Sequence, residues 1–378
     1  MEAALTATMR VCLPFVGDTV GGSHLSALLL ARGLGELGVH VHVVVHRPGP
    51  LSELLERRGT RFELLPLPTV EGAGTRLGYL RATAASLGPL RHHLRTNRID
   101  VVHTNDLRIH RAWMIAARTA RVPHVWHQRT RFFAPRFGRL QLHAPTRIIA
   151  ISRFVDESLP PFARRKSTVV LNPFDTLAEP PDRAAARRDL LAEIGAPASA
   201  RIVGIVGNLT DQKRPLLFVE VAGRLAAESD DLVFVMAGSD RSGNAARVER
   251  LADESGISGR VHHLGFRSPI EPVIAGCDVL VAPGVDDGFG RALVEAMLVG
   301  TPVVASRSGG HREVVEDGST GLLVAPDDAA ATAAAVRRLL EDPALGEAMT
   351  ARAAAQARER YSIRRHAEDV LAVYRSLP

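Results

Sequence analysis

The order in which short apolar runs and helical runs follow one another constrains this chain most. From Met9 onward, stretches rich in Val, Ile and Leu alternate with amphipathic stretches, and many of the apolar runs stop at a glycine or proline. Adjacent parallel strands need a crossover between them, and a helix is the usual one, so this alternation specifies parallel sheets covered by helices. Strands are predicted at Met9–Phe15, Val39–Val45, Asp100–His103, Val122–His127 and Arg147–Ile151. Helices are predicted over His24–Leu37 and from about Arg108 to Arg121. In the second half the strands are Arg201–Val206, Leu232–Ala237, Val261–Leu264, Val279–Ala282 and Pro302–Ala305. The helices there are Pro215–Ala227, Arg291–Val299, Ala329–Leu340, Pro343–Arg360 and an amphipathic Ile363–Ser376.

A chain of 378 residues is long for one core and suits two α/β domains. Val169–Asp175 reads as a strand leaving one domain and a turn entering the next, since Asn172-Pro173 initiates turns; prolines within Glu179–Asp182 extend the linker. The expected division is 1–172 as a first Rossmann-like domain, 173–360 as a second one, and 361–378 as a last helix that can pack back on the first. The α/β reading is thus two Rossmann-like domains facing each other across a cleft.

Charge separates the halves. Lys and Arg outnumber Asp and Glu by 24 to 11 in residues 1–172, and are outnumbered 23 to 30 in 173–378. A basic domain beside an acidic one favours an anionic partner for the first half and argues against nucleic acid as the partner of the whole. The two cysteines, Cys12 and Cys277, lie in apolar runs, too few and too far apart for a disulfide framework or a zinc site. Met1–Thr8 reads as a loose leader without the basic and apolar regions of a signal peptide. No apolar run is long enough to span a bilayer. The expectation is a cytoplasmic protein, with peripheral contact at the inner face of the membrane left open.

The chemistry is easiest to read where strands of the second half end, because open parallel sheets bind ligands at their carboxyl edge. Gly207-Asn208-Leu209-Thr210-Asp211-Gln212-Lys213 places a glycine, whose backbone can approach an anion, before a lysine that can reach the same phosphate. Asp287-Gly288-Phe289-Gly290-Arg291 opens a helix at Gly290, and the positive end of that helix favours a diphosphate. Glu295, further into the helix, can accept both hydroxyls of a ribose. Gly309-Gly310 offers close backbone approach, and Gly265-Phe266 offers backbone groups to a base. In the first half, Gly21-Gly22 opens a helix after the first strand, and His127 and His103 end two others. Arg129–Phe133, Arg136-Phe137 and Arg139-Leu140 interleave arginine with bulky apolar residues. Three readings stand for that stretch: contact with anionic lipid, a pocket for an acidic acceptor, or a solvated loop with its apolar residues turned inward.

Taken together, Leu264-Gly265-Phe266, Cys277-Asp278-Val279, Asp287–Gly290, Glu295-Ala296-Met297, Gly300–Ala305, Gly309-Gly310 and Asp317-Gly318 with Gly321–Val324 resemble the donor domain of family 4 retaining glycosyltransferases of GT-B fold. More weakly, the resemblance extends over nearly the whole chain. It implies transfer of a sugar from a nucleotide-diphosphate sugar to an acceptor, with retention at the anomeric carbon. It also implies that Glu295 holds the ribose, that Asp287 stands where the family has a glutamate near the sugar, and that His127 orients the sugar and can help deprotonate the acceptor. Lys213 matches the phosphate-binding lysine, while Asn208 replaces the family's arginine and with it a bidentate clamp; Arg291 and Arg214 are the nearest basic residues that can compensate. Gly21, Gly22, Gly265, Phe266, Gly288, Phe289 and Gly290 complete the expected donor site. No Asp-x-Asp sequence occurs, so no metal and no further cofactor are expected. A sugar-nucleotide epimerase of the same fold and a non-catalytic nucleotide-sugar binder are the alternatives.

Overall fold

The computed structural model describes residues 9–67, 76–105, 108–133, 136–240 and 242–378. Met1–Thr8 and Asp106 lie outside them, as do the side chains of Arg136 and Phe137. Two compact units result: one holds the chain up to Asp175 together with Tyr361–Pro378, the other Thr176–Arg360.

The first unit is built on a seven-stranded sheet of β1 (Arg10–Phe15), β2 (His40–Val45), β3 (Glu63–Leu64), β4 (Val101–Thr104), β5 (His124–Gln128), β6 (Arg147–Ala150) and β7 (Ser167–Val169). Their order is β3-β2-β1-β4-β5-β6-β7, and every pair is parallel. The second unit carries β8 (Arg201–Val206), β9 (Leu232–Ala237), β10 (Val261–Gly265), β11 (Val279–Ala282), β12 (Val303–Ser306) and β13 (Leu322–Val324), in the order β10-β9-β8-β11-β12-β13, again all parallel. In both, the order reverses beside the first strand of the unit, the doubly wound pattern that opens a crevice at the carboxyl edge.

Local chemistry explains the element ends. Asp182 accepts from the amides of Ala184 and Ala185 at 2.8 and 3.2 Å and starts the helix Arg183–Glu193. Asp328 caps Ala329–Glu341 through the Ala331 amide, and Ser362 caps Ile363–Arg375 through the Arg365 amide. Gly300, left-handed at φ +75°, ends Arg291–Val299. Several elements have no counterpart in the sequence pattern. They include β3, only two residues long, and the helices Pro50–Arg57, Arg76–Thr96 and Asn244–Glu254. The long one carries Gly78, Gly88 and Pro89, which weaken helical periodicity.

The last helix, Ile363–Arg375, belongs to the first unit. Ala367, Val370, Leu371, Val373 and Tyr374 are buried with the aliphatic residues of β1 and β2. The Phe174 amide donates to the Tyr361 carbonyl at 2.8 Å where the chain returns. Gly33, in the helix Gly22–Glu36, lets the two helices meet: a β-carbon there would come within 2.8 Å of both Ala367 and Ile363. Gly33→Ala should therefore destabilise the protein by about 1–3 kcal/mol through overpacking, against the gain of about 1 kcal/mol that alanine ordinarily brings to a helix interior. Urea unfolding of the variant checks this, and a raised midpoint would contradict the packing described.

Candidate functional site

In the second unit, three loops leave the carboxyl ends of β8, β11 and β12 and are hydrogen-bonded into one another. The Val285 amide donates to the Gln212 carbonyl at 2.9 Å, and the Gln212 side-chain amide donates to the Asp286 carbonyl at 2.8 Å. The Asp286 amide donates to Ser308 Oγ at 3.1 Å, and the Gly310 amide to the Asp287 carbonyl at 2.8 Å. The double glycine is required by close approach: β-carbons at Gly309 and Gly310 would lie 2.5 Å from the Asp287 carbonyl oxygen and 2.6 Å from that of Gly288.

This weave brings Lys213 and Asp287 together. Lys213 Nζ lies 2.5 Å from Asp287 Oδ2, with its aliphatic stem against Gly207. His311 Nε2 is 3.4 Å from the same oxygen. Burial opposes ionisation of Asp287, but the Lys213 charge and the His311 contact outweigh it and hold the carboxyl well below the usual range. Asp287 is thus an acceptor-only carboxylate, suited to hydroxyl donors. Behind it, the Ser306 hydroxyl donates to the Gly284 carbonyl, and His311 Nδ1 lies 3.2 Å from Ser306 Oγ. A β-carbon on Gly290 would meet the His311 ring at 2.7 Å, so this glycine makes room for the histidine. Sequence reasoning gave His311 no part. The only signal was its place directly after the double glycine.

The helix Arg291–Val299 starts at Gly290, in left-handed conformation at φ +92°. Glu295 Oε1 is 3.1 Å from Arg291 Nη2. Burial pushes the Glu295 carboxyl up, and Arg291 pulls part of the way back. Phe289 is buried, whereas Phe266, after the left-handed Gly265 that ends β10, is exposed. Asn208 is exposed near the start of the loop that follows β8. Arg214 is engaged with Asp327 at 2.7 Å, and Arg291 with Glu295, so both candidate substitutes for the missing arginine already face a carboxylate.

In the first unit, Gly21 is the extended residue before the helix that begins at Gly22, and a β-carbon on it would meet nothing closer than His24 Nδ1 at 3.9 Å. His127 is fully buried near the end of β5. Its Nδ1 lies 3.0 Å from His103 Nε2, and His103 Nδ1 lies 2.5 Å from the Tyr374 hydroxyl. Thr104 Oγ1 meets His110 and His124, and the His110 ring stacks on Trp126 at 3.8 Å. His366 Nδ1 lies 2.6 Å from the Leu171 carbonyl. Arg129 donates to the side-chain oxygens of Asn105 and Asn172, both at 2.5 Å. Sequence reasoning placed His103 and His127 at strand ends and read Arg129 as part of the arginine and apolar stretch, but had no means of finding Tyr374, His366 or His110 around them. The arginine and apolar stretch divides: Phe132 packs on the core beside Leu142 and Trp126, while Phe133 is 92% exposed and Arg131, Arg139 and Leu140 also face out.

Both cysteines are buried thiols. Among the described residues, no group of three or more His, Cys, Asp or Glu is placed to hold a metal, and no helix is long and apolar enough to cross a membrane.

Two doubly wound parallel units, with a lysine–carboxylate pair at the carboxyl edge of the second, define a protein of the GT-B glycosyltransferase class. The whole chain superposes on Anabaena Alr3699/HepE, crystallised with UDP and glucose, with a TM-score of 0.82, covering 98% of this chain and 100% of that one at 22% identity. Residues 20–176 match the family model described as Glycosyltransferase Family 4, and residues 187–360 that of Glycosyl transferases group 1. A 2-deoxystreptamine N-acetyl-D-glucosaminyltransferase of Streptomyces fradiae is 30% identical over 83% of this chain and 81% of its own length. A D-inositol 3-phosphate glycosyltransferase of Stackebrandtia nassauensis is 30% identical over 96% and 88%. A Corynebacterium urealyticum enzyme described in the same words is 38% identical, but the match spans only 49% of this chain and 45% of that relative. The chain belongs to the group 1, family 4 glycosyltransferases.

The buried histidines set an acid limit on stability. Burial, reinforced by nearby cations, holds His124 and His366 down to about 3, and His103, His110 and His127 well below their usual value. Unfolded histidines titrate near 6.5, so below that pH the unfolded chain binds more protons and stability falls until the folded values are reached. His124 and His366 should each remove about 2 kcal/mol between pH 6.5 and 5. The urea midpoint should therefore be clearly lower at pH 5.0 than at 7.5; equal midpoints would mean that these rings are hydrated in the fold.

Proposed function

We propose that the protein is a metal-independent, retaining glycosyltransferase whose donor is a nucleotide-diphosphate sugar held by the second unit and whose acceptor is met by the first. The observation that carries this reading is the Lys213–Asp287 pair, set in the glycine-lined weave of three strand-end loops. A cation beside a carboxylate fits a sugar diphosphate, whose phosphates need positive charge and whose sugar hydroxyls need an acceptor.

Lys213, the loop amides and the start of the helix at Gly290 stabilise charge on the leaving diphosphate. Asp287 accepts from sugar hydroxyls, Glu295 from the ribose, and the Gly265-Phe266 backbone faces the base. His127 and the Gly21-Gly22 turn serve the transferred sugar from the first unit. In the reaction the bond from the anomeric carbon to the diphosphate oxygen breaks, and the acceptor oxygen forms its bond on the same face. The acceptor's proton passes to the leaving diphosphate, so no carboxylate nucleophile is needed. With Asn208 in place of an arginine, phosphate charge rests chiefly on Lys213, which trades Asp287 for phosphate when the donor binds.

Uracil is the first base to test, because HepE was crystallised with UDP and with UDP-glucose. Calorimetry with UDP, GDP, ADP and dTDP in EDTA tests the donor site. One of them should bind without metal, and Lys213→Ala should weaken it roughly tenfold or more, the loss of one charge-assisted contact of about 1.5–3 kcal/mol. No binding by any of the four would overturn the reading. Analysis of the product's anomeric configuration separates retention from inversion, and conversion of the donor sugar without an acceptor would indicate an epimerase instead.

Contact with an anionic surface is favoured by the exposed Phe133 and Leu140 beside the exposed Arg131 and Arg139. Sedimentation with phosphatidylglycerol vesicles should exceed that with phosphatidylcholine vesicles and fall in Phe133→Ser. Equal sedimentation with both lipids would leave an acidic acceptor as the partner of this stretch.

A further inference from the structure

The buried histidines of the first unit form a directed hydrogen-bond chain whose polarity follows from counting protons. Tyr374 Oη and His103 Nδ1 are 2.5 Å apart, and His103 Nε2 and His127 Nδ1 are 3.0 Å apart. His127 Nε2 is buried and has no partner among the described residues. A neutral imidazole has one donor and one acceptor nitrogen. If His127 donated from Nδ1, His103 would donate from Nδ1 to the phenol oxygen, and the phenol proton would then have nowhere to go. The Tyr374 hydroxyl is buried and makes no other hydrogen bond among the described residues. The opposite direction leaves only one group of the chain unmet, against two: Tyr374 donates to His103 Nδ1, His103 donates from Nε2 to His127 Nδ1, and His127 Nε2 alone is without a partner. His127 then carries its proton on Nε2.

The same count applies to His366. The Leu171 carbonyl can only accept, so His366 donates to it from Nδ1, and its own Nε2, also buried and unpartnered, is bare. The His127 and His366 rings lie nearly parallel, with an interplanar angle of 20° and centroids 6.1 Å apart. One ring offers a donor and the other an acceptor, and leaving either unmet in the interior is costly. A hydroxyl group, which accepts and donates at once, complements the pair.

We propose that Tyr374 and His103 are positioning residues that lock His127 as an Nε2–H donor, and that His127 and His366 together take a hydroxyl group of the substrate. This rests on the glycosyl-transfer reading for the identity of the substrate, though not for the direction of the chain. Burial holds His127 neutral, so in this arrangement it donates to an oxygen and does not remove the acceptor's proton. The last helix thereby acts on the site through Tyr374, 271 residues along the chain from His103.

The test is long-range 1H–15N NMR of histidine-labelled protein without ligand, with His127 and His366 resonances assigned by His127→Gln and His366→Gln. His127 should be the Nε2–H tautomer and His366 the Nδ1–H tautomer in the unaltered protein. Tyr374→Phe, which removes only the hydroxyl, should turn His127 into a mixture of tautomers. An Nδ1–H His127 in the unaltered protein overturns the proposal whether or not the variant folds. So does an unchanged His127 tautomer in a folded Tyr374→Phe. With whichever of UDP-glucose, UDP-N-acetylglucosamine and GDP-mannose is turned over, Tyr374→Phe should lower kcat/KM roughly fivefold, about the worth of one weakened hydrogen bond. An unchanged kcat/KM beside a shifted tautomer overturns the hydroxyl assignment. Turnover of none of the three counts against the function reading and leaves the tautomer result standing.

Discussion

Parallel pairing of every strand is the constraint from which the rest of this structure follows. A parallel pair cannot be closed by a short hairpin, so each connection crosses back over the sheet and every strand ends at the same edge. Loops distant in sequence are thereby delivered to one place. In the second unit that place holds the ends of β8, β11 and β12, and glycines let their backbones approach within distances that no side chain would permit. Gly207 and Gly238 show the same need, since a β-carbon at Gly238 would lie 2.0 Å from the Gly207 carbonyl oxygen.

Within that edge, electrostatics decides the state of the key groups. Asp287 and Glu295 are both carboxylates shielded from water, yet they are pushed in opposite directions. Asp287 faces a lysine and a histidine that outweigh the cost of burial. For Glu295 that cost dominates, with Arg291 recovering only part of it. Two like groups eight residues apart thus differ in their affinity for a proton because their surroundings differ. The first unit uses a different means. His103, His110, His124, His127 and His366 are held below their ordinary value chiefly by burial, and hydrogen bonds link His103 to both Tyr374 and His127.

Much of the fold was legible in the residues because alternation and chain breakers act locally. Arg201–Val206, Leu232–Ala237, Val279–Ala282 and the helices Arg291–Val299 and Pro343–Arg360 fall where the pattern places them. β3 did not, because two residues carry no periodicity, and Arg76–Thr96 did not, because its glycines and Pro89 imitate a loop. Lys213, Asp287, Gly290 and Glu295 were visible as a motif, and the structure adds that Lys213 and Asp287 touch. His311 was not singled out, since nothing along the chain says that it turns back onto Asp287.

By itself the sequence determined the α/β class, the alternation that makes both sheets parallel, and the set of loops that end at one edge, all of which depend on residues close together in the chain. Only the tertiary structure decided which side chains meet there. Tyr374 reaches His103 because the last helix is folded onto the first sheet, and His366 comes beside His127 by the same return. Contacts of that range depend on packing, and packing depends on shape complementarity summed over the whole unit, which no local pattern records.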